Sequence, residues 1–135
     1  MSALYPDTAY APVPAPSYWQ ATVPGAAPGP SVEDDITIDT AVIGAGFTGL
    51  NAAIRLAERG EDVAVFDAGY PGWGASGRNG GFVCTGGSKV EYEDQIKAHG
   101  TDQTRAYVDR QRAAIDHVAD NLDRFGIDAD RHSEG

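Results

Sequence analysis

The stretch Thr40-Ala-Val-Ile-Gly-Ala-Gly-Phe-Thr-Gly49 limits what this chain can fold into more than any other part of it. A short apolar run enters three glycines at the spacing GxGxxG, and the residues beyond them have helical periodicity. Leu50, Ala53, Ile54 and Ala57 fall at i, i+3, i+4 and i+7, so a helix over Phe47 to Arg59 presents one apolar face. A strand, a glycine turn and a helix in that order make a pyrophosphate site. Gly44 permits the tight turn, Gly46 leaves room for phosphate against the backbone, and Gly49 lets helix and strand approach closely. The unpaired amides of the first helical turn and the positive end of the helix dipole then face the anion.

Gly60 is placed to end the helix. Val63-Ala-Val-Phe66 follows as a short apolar run of the kind found in buried parallel strands, and Asp67 closes it. Asp67 lies about twenty residues beyond the glycines, where a carboxylate accepts hydrogen bonds from an adenosine ribose. FAD and NAD sites share this unit. What distinguishes them here is the sequence after Asp67, which enters a second glycine-rich stretch instead of another helix and strand. Residues 69–81 hold six glycines in thirteen positions. Such a run suits neither a stable helix nor a central strand. A backbone this bare can lie against a large planar ligand, with Ser76, Arg78 and Asn79 as donors to phosphate or ring oxygens.

Several segments together resemble the FAD-dependent oxidoreductases of the D-amino-acid oxidase type, in the gamma-glutamylputrescine oxidoreductase branch. They are Ser17-Tyr-Trp, Ala41-Val-Ile-Gly-Ala-Gly-Phe-Thr-Gly-Leu50, Leu56-Ala-Glu-Arg-Gly60, Gly74-Ala-Ser-Gly-Arg-Asn-Gly-Gly81 and Gly126-Ile-Asp-Ala-Asp130. The resemblance implies an α/β fold: a glutathione-reductase-like FAD-binding βαβ unit, incomplete in this chain, with additional helices. It also implies oxidation of a small-molecule amine or amino acid to an imine that water hydrolyses. Matched residue by residue, it places Gly44, Gly46, Phe47, Thr48 and Gly49 at the pyrophosphate and Asp67 at the ribose. Ser76, Arg78, Asn79, Gly80 and Gly81 would then lie along the pyrophosphate and flavin. Asp67 stands where the family more often carries Glu; its side chain is shorter, and its carboxylate is still expected to reach the ribose. In this family the substrate domain and the last flavin-contacting strand follow later in the sequence. The 135 residues are therefore expected to be an N-terminal piece of an enzyme, marginally stable and inactive alone, with no catalytic acid or base of its own. Two other readings compete with this one: a nicotinamide-dependent dehydrogenase, and a non-catalytic product.

Formal charge is −10, and no Lys or Arg precedes Arg55. With no basic face or basic amphipathic stretch, binding to nucleic acid or an anionic membrane is disfavoured. No run approaches the length of a membrane-spanning helix, and the first residues lack the order of a signal peptide, which makes the cytoplasm the expected location. Cys84 is the single cysteine, so neither an intrachain disulfide nor a cysteine metal cluster is expected; a small buried thiol is its simplest role. His99, His117 and His132 share no ligand spacing and read as solvated or capping side chains.

Seven prolines among residues 1–30 mark an arm without regular structure. Its aromatic residues, Tyr18 and Trp19 among them, suggest that part of it docks as extended chain, with residues 1–16 a disordered tail. The remainder, 31–135, reads as the N-terminal part of the FAD-binding domain. Downstream, Phe82-Val-Cys84 is expected as a brief strand, residues 91–98 as a short helix, and residues 101–125 as a long helix capped by Thr101 and Asp102. Val108, Ile115, Val118, Ala119, Leu122 and Phe125 form an apolar stripe along it. Ile127 is expected to start another strand.

Overall fold

The computed structural model describes residues 17–23 and 29–131. In chain order it contains α1 (Tyr18–Thr22), β1 (Thr40–Ile43), α2 (Phe47–Ala57), β2 (Val63–Phe66), a 3₁₀ turn (Ala75–Gly77), α3 (Tyr92–His99) and α4 (Thr101–Phe125). These divide into two compact units, one ending at Gly80 and the other beginning at Gly81.

The first unit is the expected βαβ arrangement. β1 and β2 pair in parallel, with Thr40 opposite Val63 and Ile43 opposite Phe66. The pairing continues into the glycine turn, where the Gly44 N–H donates to the Phe66 carbonyl at 2.6 Å. α2 packs against both strands. It ends two residues earlier than expected, and the reason is its cap. Gly60 takes φ 85°, its N–H donates to the Ala57 carbonyl at 2.9 Å, and the Glu61 N–H donates to the Leu56 carbonyl at 3.2 Å. This pair of bonds satisfies carbonyls that the helix end would otherwise leave open, at the cost of a left-handed residue that glycine accepts readily.

The sheet is less buried than the apolar runs suggested. All four residues of β2 are half-exposed, and β1 alternates between half-exposed and exposed, with Ile43 80% exposed. α2 covers one face, and Ile43 stands on the other. Among the described residues the buried side chains are Ala45, Ala53 and Thr104, all small.

In the second unit α3 packs on α4. The expected cap at Thr101 and Asp102 is not formed. Gly100 holds the N-cap position with φ 84°, and Thr101 is the first helical residue. The hydroxyl in use is that of Thr104, which is buried and donates to the Gly100 carbonyl at 3.0 Å. Gly126 ends α4 with φ 61°, and the Ile127 N–H donates to the Leu122 carbonyl at 2.9 Å. The stripe on α4 is only partly covered, with Val118 38% and Phe125 47% exposed.

Three further expectations are corrected. Phe82, Val83 and Cys84 form no strand, and Cys84 is exposed, because this segment pairs with no backbone edge among the described residues. Residues 127–131 form no strand for the same reason. Residues 17–23 are not extended: Ser17 accepts the Gln20 N–H at 3.1 Å and starts the short helix α1. The expected tail at residues 1–16 lies outside the described residues, as does His132. No helix among the described residues is long and apolar enough to cross a membrane.

Candidate functional site: two glycine loops at the start of α2

The turn between β1 and α2 shows why each glycine is needed. Gly44 has φ 104°, a conformation that a side chain would strain whatever the available space. Gly49 is helical, but a Cβ there would run into the Gly44 carbonyl oxygen and meet Val42 Cγ1 at 3.2 Å. Its missing side chain is what lets α2 sit on the end of β1. At Gly46 a Cβ would lie 2.9 Å from Ser76 Oγ, so the space beside this backbone is shared with the second loop.

α2 carries no acidic residue in its first turn and Arg55 in its last. Its positive end is therefore not neutralised by its own sequence. The first helical bond runs from the Leu50 N–H to the Gly46 carbonyl at 3.0 Å. Of the earlier amides, Phe47 N–H donates to Ser76 Oγ at 3.0 Å, while those of Thr48 and Gly49 meet no acceptor among the described residues. Two open amides and an uncompensated dipole at a bare turn match what a phosphate oxygen requires.

Asp67, at the end of β2, has a role that spacing alone did not reveal. Its Oδ2 accepts the Ala45 N–H at 2.7 Å and its Oδ1 accepts the Gly69 N–H at 2.8 Å. The carboxylate braces both glycine loops. These bonds, the one from Ala45 first, hold its pKa below the usual carboxylate value, against a smaller opposing effect of burial. Each oxygen keeps a further lone pair, and the side chain stays exposed, so a ribose hydroxyl can still reach it.

The second loop folds back on the first. Gly72, with φ 79°, donates its N–H to the carbonyl of buried Ala45 at 2.9 Å. Ser76 sits on the Phe47 amide as described. Arg78 and Asn79 turn partly inward: Arg78 Nε donates to the Trp73 carbonyl at 2.9 Å, and Asn79 Nδ2 to the Ser76 carbonyl at 2.7 Å. The terminal guanidinium nitrogens of Arg78 make no hydrogen bond or ion pair among the described residues. Gly80 ends the first unit, and Gly81, with φ 75°, opens the second. The structure thus brings Gly44, Gly46, Phe47, Thr48, Gly49, Asp67, Ser76, Arg78 and Asn79 into one region of the first unit.

Residues that the sequence reading left out also shape this region. Ala45 donates its N–H to Asp67 and accepts the Gly72 N–H of the second loop with its carbonyl, and the Trp73 ring lies where a Cβ on Gly69 would be, 2.6 Å from Cγ. An aromatic residue in the middle of a glycine run was the available signal for Trp73. For Ala45 there was none, because its bonds are made by the backbone.

A hollow between α3 and α4 is lined by His99, Gln103, Tyr107 and Arg110 among others. No three His, Cys, Asp or Glu side chains among the described residues converge as metal ligands would. His117 contacts Asn121 at 3.2 Å, within α4.

A parallel βαβ unit with an open-amide glycine turn and an acid at the end of the second strand defines a dinucleotide-binding protein. The particular family follows from comparison with known proteins. Residues 39–135 match the model of the family described as FAD dependent oxidoreductase, and the chain belongs to that family, whose cofactor is FAD. It is 35% identical over 119 residues to gamma-glutamylputrescine oxidoreductase of Escherichia coli (strain K12), covering 88% of this chain and 28% of that protein. Over 92 residues it is 37% identical to the probable oxidoreductase OrdL of Haemophilus influenzae, covering 68% of this chain and 21% of that one. The corresponding OrdL of Rhizobium meliloti is 36% identical over 112 residues, covering 83% and 26%. The chain thus spans roughly a quarter of the length of these curated relatives. No solved structure matches it.

Proposed function

We propose that this chain forms the adenosine and pyrophosphate side of the FAD site in an enzyme that oxidises a small amine or amino acid to an imine. The observation that carries the proposal is the pair of open amides, Thr48 and Gly49, at the acid-free start of α2. In this reading Gly44, Gly46, Phe47, Thr48 and Gly49 surround the pyrophosphate. Asp67 accepts from the ribose while bracing the turn. Ser76, Arg78, Asn79, Gly80 and Gly81 run along the pyrophosphate and flavin, with the terminal nitrogens of Arg78 as the charged donors. What FAD would supply when bound is two-electron redox chemistry: a hydride acceptor for the carbon that bears the amine, regenerated by oxygen or another acceptor. This chain's own part is to bind and orient. The two loops hold the anionic end of the cofactor with preformed backbone donors, so little ordering is left to be done on binding.

The name of the Escherichia coli relative makes an acylated diamine such as gamma-glutamylputrescine the first substrate to try. The test of the cofactor reading is direct. The protein is purified, its bound small molecules are released by heat, and flavin is identified by chromatography and absorbance; FAD and NAD are also titrated into cofactor-free protein. Release or saturable binding of FAD supports the reading. Binding of NAD without FAD would replace it with a nicotinamide-dependent dehydrogenase.

A further inference from the structure

Residues 69–81 are six-thirteenths glycine. Glycine loses more conformational freedom on ordering than any other residue, so such a segment keeps one shape only through the contacts that tie it down. Some of those contacts are internal. Arg78 to the Trp73 carbonyl and Asn79 to the Ser76 carbonyl fix the curve of residues 73–79. Two others come from α1, far away in sequence. Trp19 Nε1 donates to the Asn79 carbonyl at 2.7 Å, and the Tyr70 hydroxyl donates to Gln20 Oε1 at 2.6 Å. They span 60 and 50 positions of sequence, and they reach the two ends of the loop.

Neighbouring residues of one short helix therefore hold Tyr70 at the loop's start and Asn79 at its end. α1 is itself well defined. Ser17 Oγ accepts the Gln20 N–H at 3.1 Å, and Thr22 Oγ1 donates to the Trp19 carbonyl at 2.8 Å. The Tyr18 and Trp19 rings meet edge to face with centroids 5.0 Å apart. Trp19 is 40% exposed, yet its single N–H is directed at a backbone carbonyl, which fixes the ring relative to the loop.

We infer that Trp19 and Gln20 are positioning residues and that α1 is a clasp across the second glycine loop. By fixing both ends of the loop, the clasp holds Ser76 over the Phe47 amide and keeps Arg78, braced on the Trp73 carbonyl, in its place within the loop. The effect on cofactor affinity rests on the FAD reading above, whereas the clasp itself rests on the two hydrogen bonds.

The test uses three variants of the purified protein. Trp19→Phe removes the N–H and keeps an aromatic ring, Gln20→Met removes the acceptor and keeps the length, and Tyr70→Phe removes the hydroxyl from the loop side. Two readouts are taken: the FAD dissociation constant, and, in flavin-free protein, the rate of tryptic cleavage after Arg78 relative to cleavage after exposed Arg59. Trp19→Phe and Gln20→Met should each weaken FAD binding roughly fivefold, as expected for loss of one hydrogen bond, and raise the Arg78 to Arg59 cleavage ratio by a similar factor. Gln20→Met and Tyr70→Phe remove the same bond from opposite sides, so their combined effect should be no larger than either alone. If a variant in α1 raises cleavage at both sites through general unfolding, Tyr70→Phe, which leaves α1 intact, decides with the same ratio. An unchanged ratio and unchanged FAD affinity in variants of a protein that binds FAD would overturn the clasp. If the unmodified protein takes up no FAD, the cofactor reading fails, and the cleavage ratio alone sustains or overturns the clasp.

Discussion

The two glycine-rich segments of the first unit look alike in composition and are held in different ways. In the first turn Gly44 and Gly49 answer demands of the local fold: a positive φ at Gly44, and no room for a Cβ between α2 and β1 at Gly49. The demands come from neighbours a few residues away, and the turn carries its shape within itself. Residues 69–81 contain such positions too, at Gly72 and at Gly77, whose Cβ would strike the Gly72 carbonyl. Yet their seat is set by Asp67, Phe47, Ala45, Trp19 and Gln20, all outside the loop. A turn built on backbone geometry should fail sharply when a glycine is replaced. A loop hung on side chains should loosen by degrees.

Substitutions at the first turn should have the largest effects. Gly46→Val places a branched side chain on Ser76 Oγ and in the space where phosphate would approach, and flavin per polypeptide should fall to near zero. Near-stoichiometric flavin in this variant would show that the first turn is not the pyrophosphate site. Gly49→Ala should destabilise the protein by about 3 kcal/mol, since the added methyl must push α2 off the end of β1. Gly44→Ala meets no neighbouring atom and should cost only the strain of its φ, about 1–2 kcal/mol. Urea denaturation of both variants checks the order. A larger loss at Gly44 than at Gly49 would mean that conformation outweighs close packing in this turn.

Arg78→Ala belongs to the second loop and should act more gently. It removes the brace on the Trp73 carbonyl together with the charged nitrogens left for an anion, and FAD binding should weaken about tenfold with little change in unfolding midpoint. Flavin fluorescence titration measures the first quantity and thermal melting the second. An unchanged dissociation constant would make Arg78 an ordinary loop residue.

The smallest effect concerns Asp67. Because its folded pKa is lowered, chiefly by the Ala45 amide, its ionised form contributes stability that is fully present above the unfolded aspartate value of about 3.9. That contribution is lost as pH falls from there through the lower folded value. Asp67→Asn should therefore be less stable than the unmodified protein at neutral pH, and the difference should shrink as pH drops below about 4. Paired denaturation curves at the two pH values test this. A constant difference would mean that the braces are indifferent to the charge of the side chain.

Where the sequence alone sufficed, local physics governed the outcome. β1, the glycine turn, α2 with its Gly60 cap, and β2 could all be read in advance, because a positive φ, a helical apolar face and a glycine stop are properties of a few adjacent residues. The same holds for α3 and α4, whose boundaries agree with the expected ones to within one residue. Phe82 to Cys84 and the residues after Gly126 were misread for the opposite reason. A short apolar run becomes a strand only beside another backbone, and no alternation of residues reveals whether one is there.

The tertiary structure decided what the polar groups of the site bond to. Asp67 could be placed at a strand end from its position in the chain, but its bond to Ala45, 22 residues back, could not. Ser76 and Phe47 are 29 positions apart, Gln20 and Tyr70 50, and Trp19 and Asn79 60. A hydrogen bond requires its partners within about 3 Å and nearly in line, and over such separations only the folded chain brings them to that distance. The sequence by itself determined where a dinucleotide's phosphates could meet backbone amides, since that follows from glycines and a helix start. Which side chains hold the second glycine loop against that place was decided only when α1, Asp67 and the start of α2 came together around it.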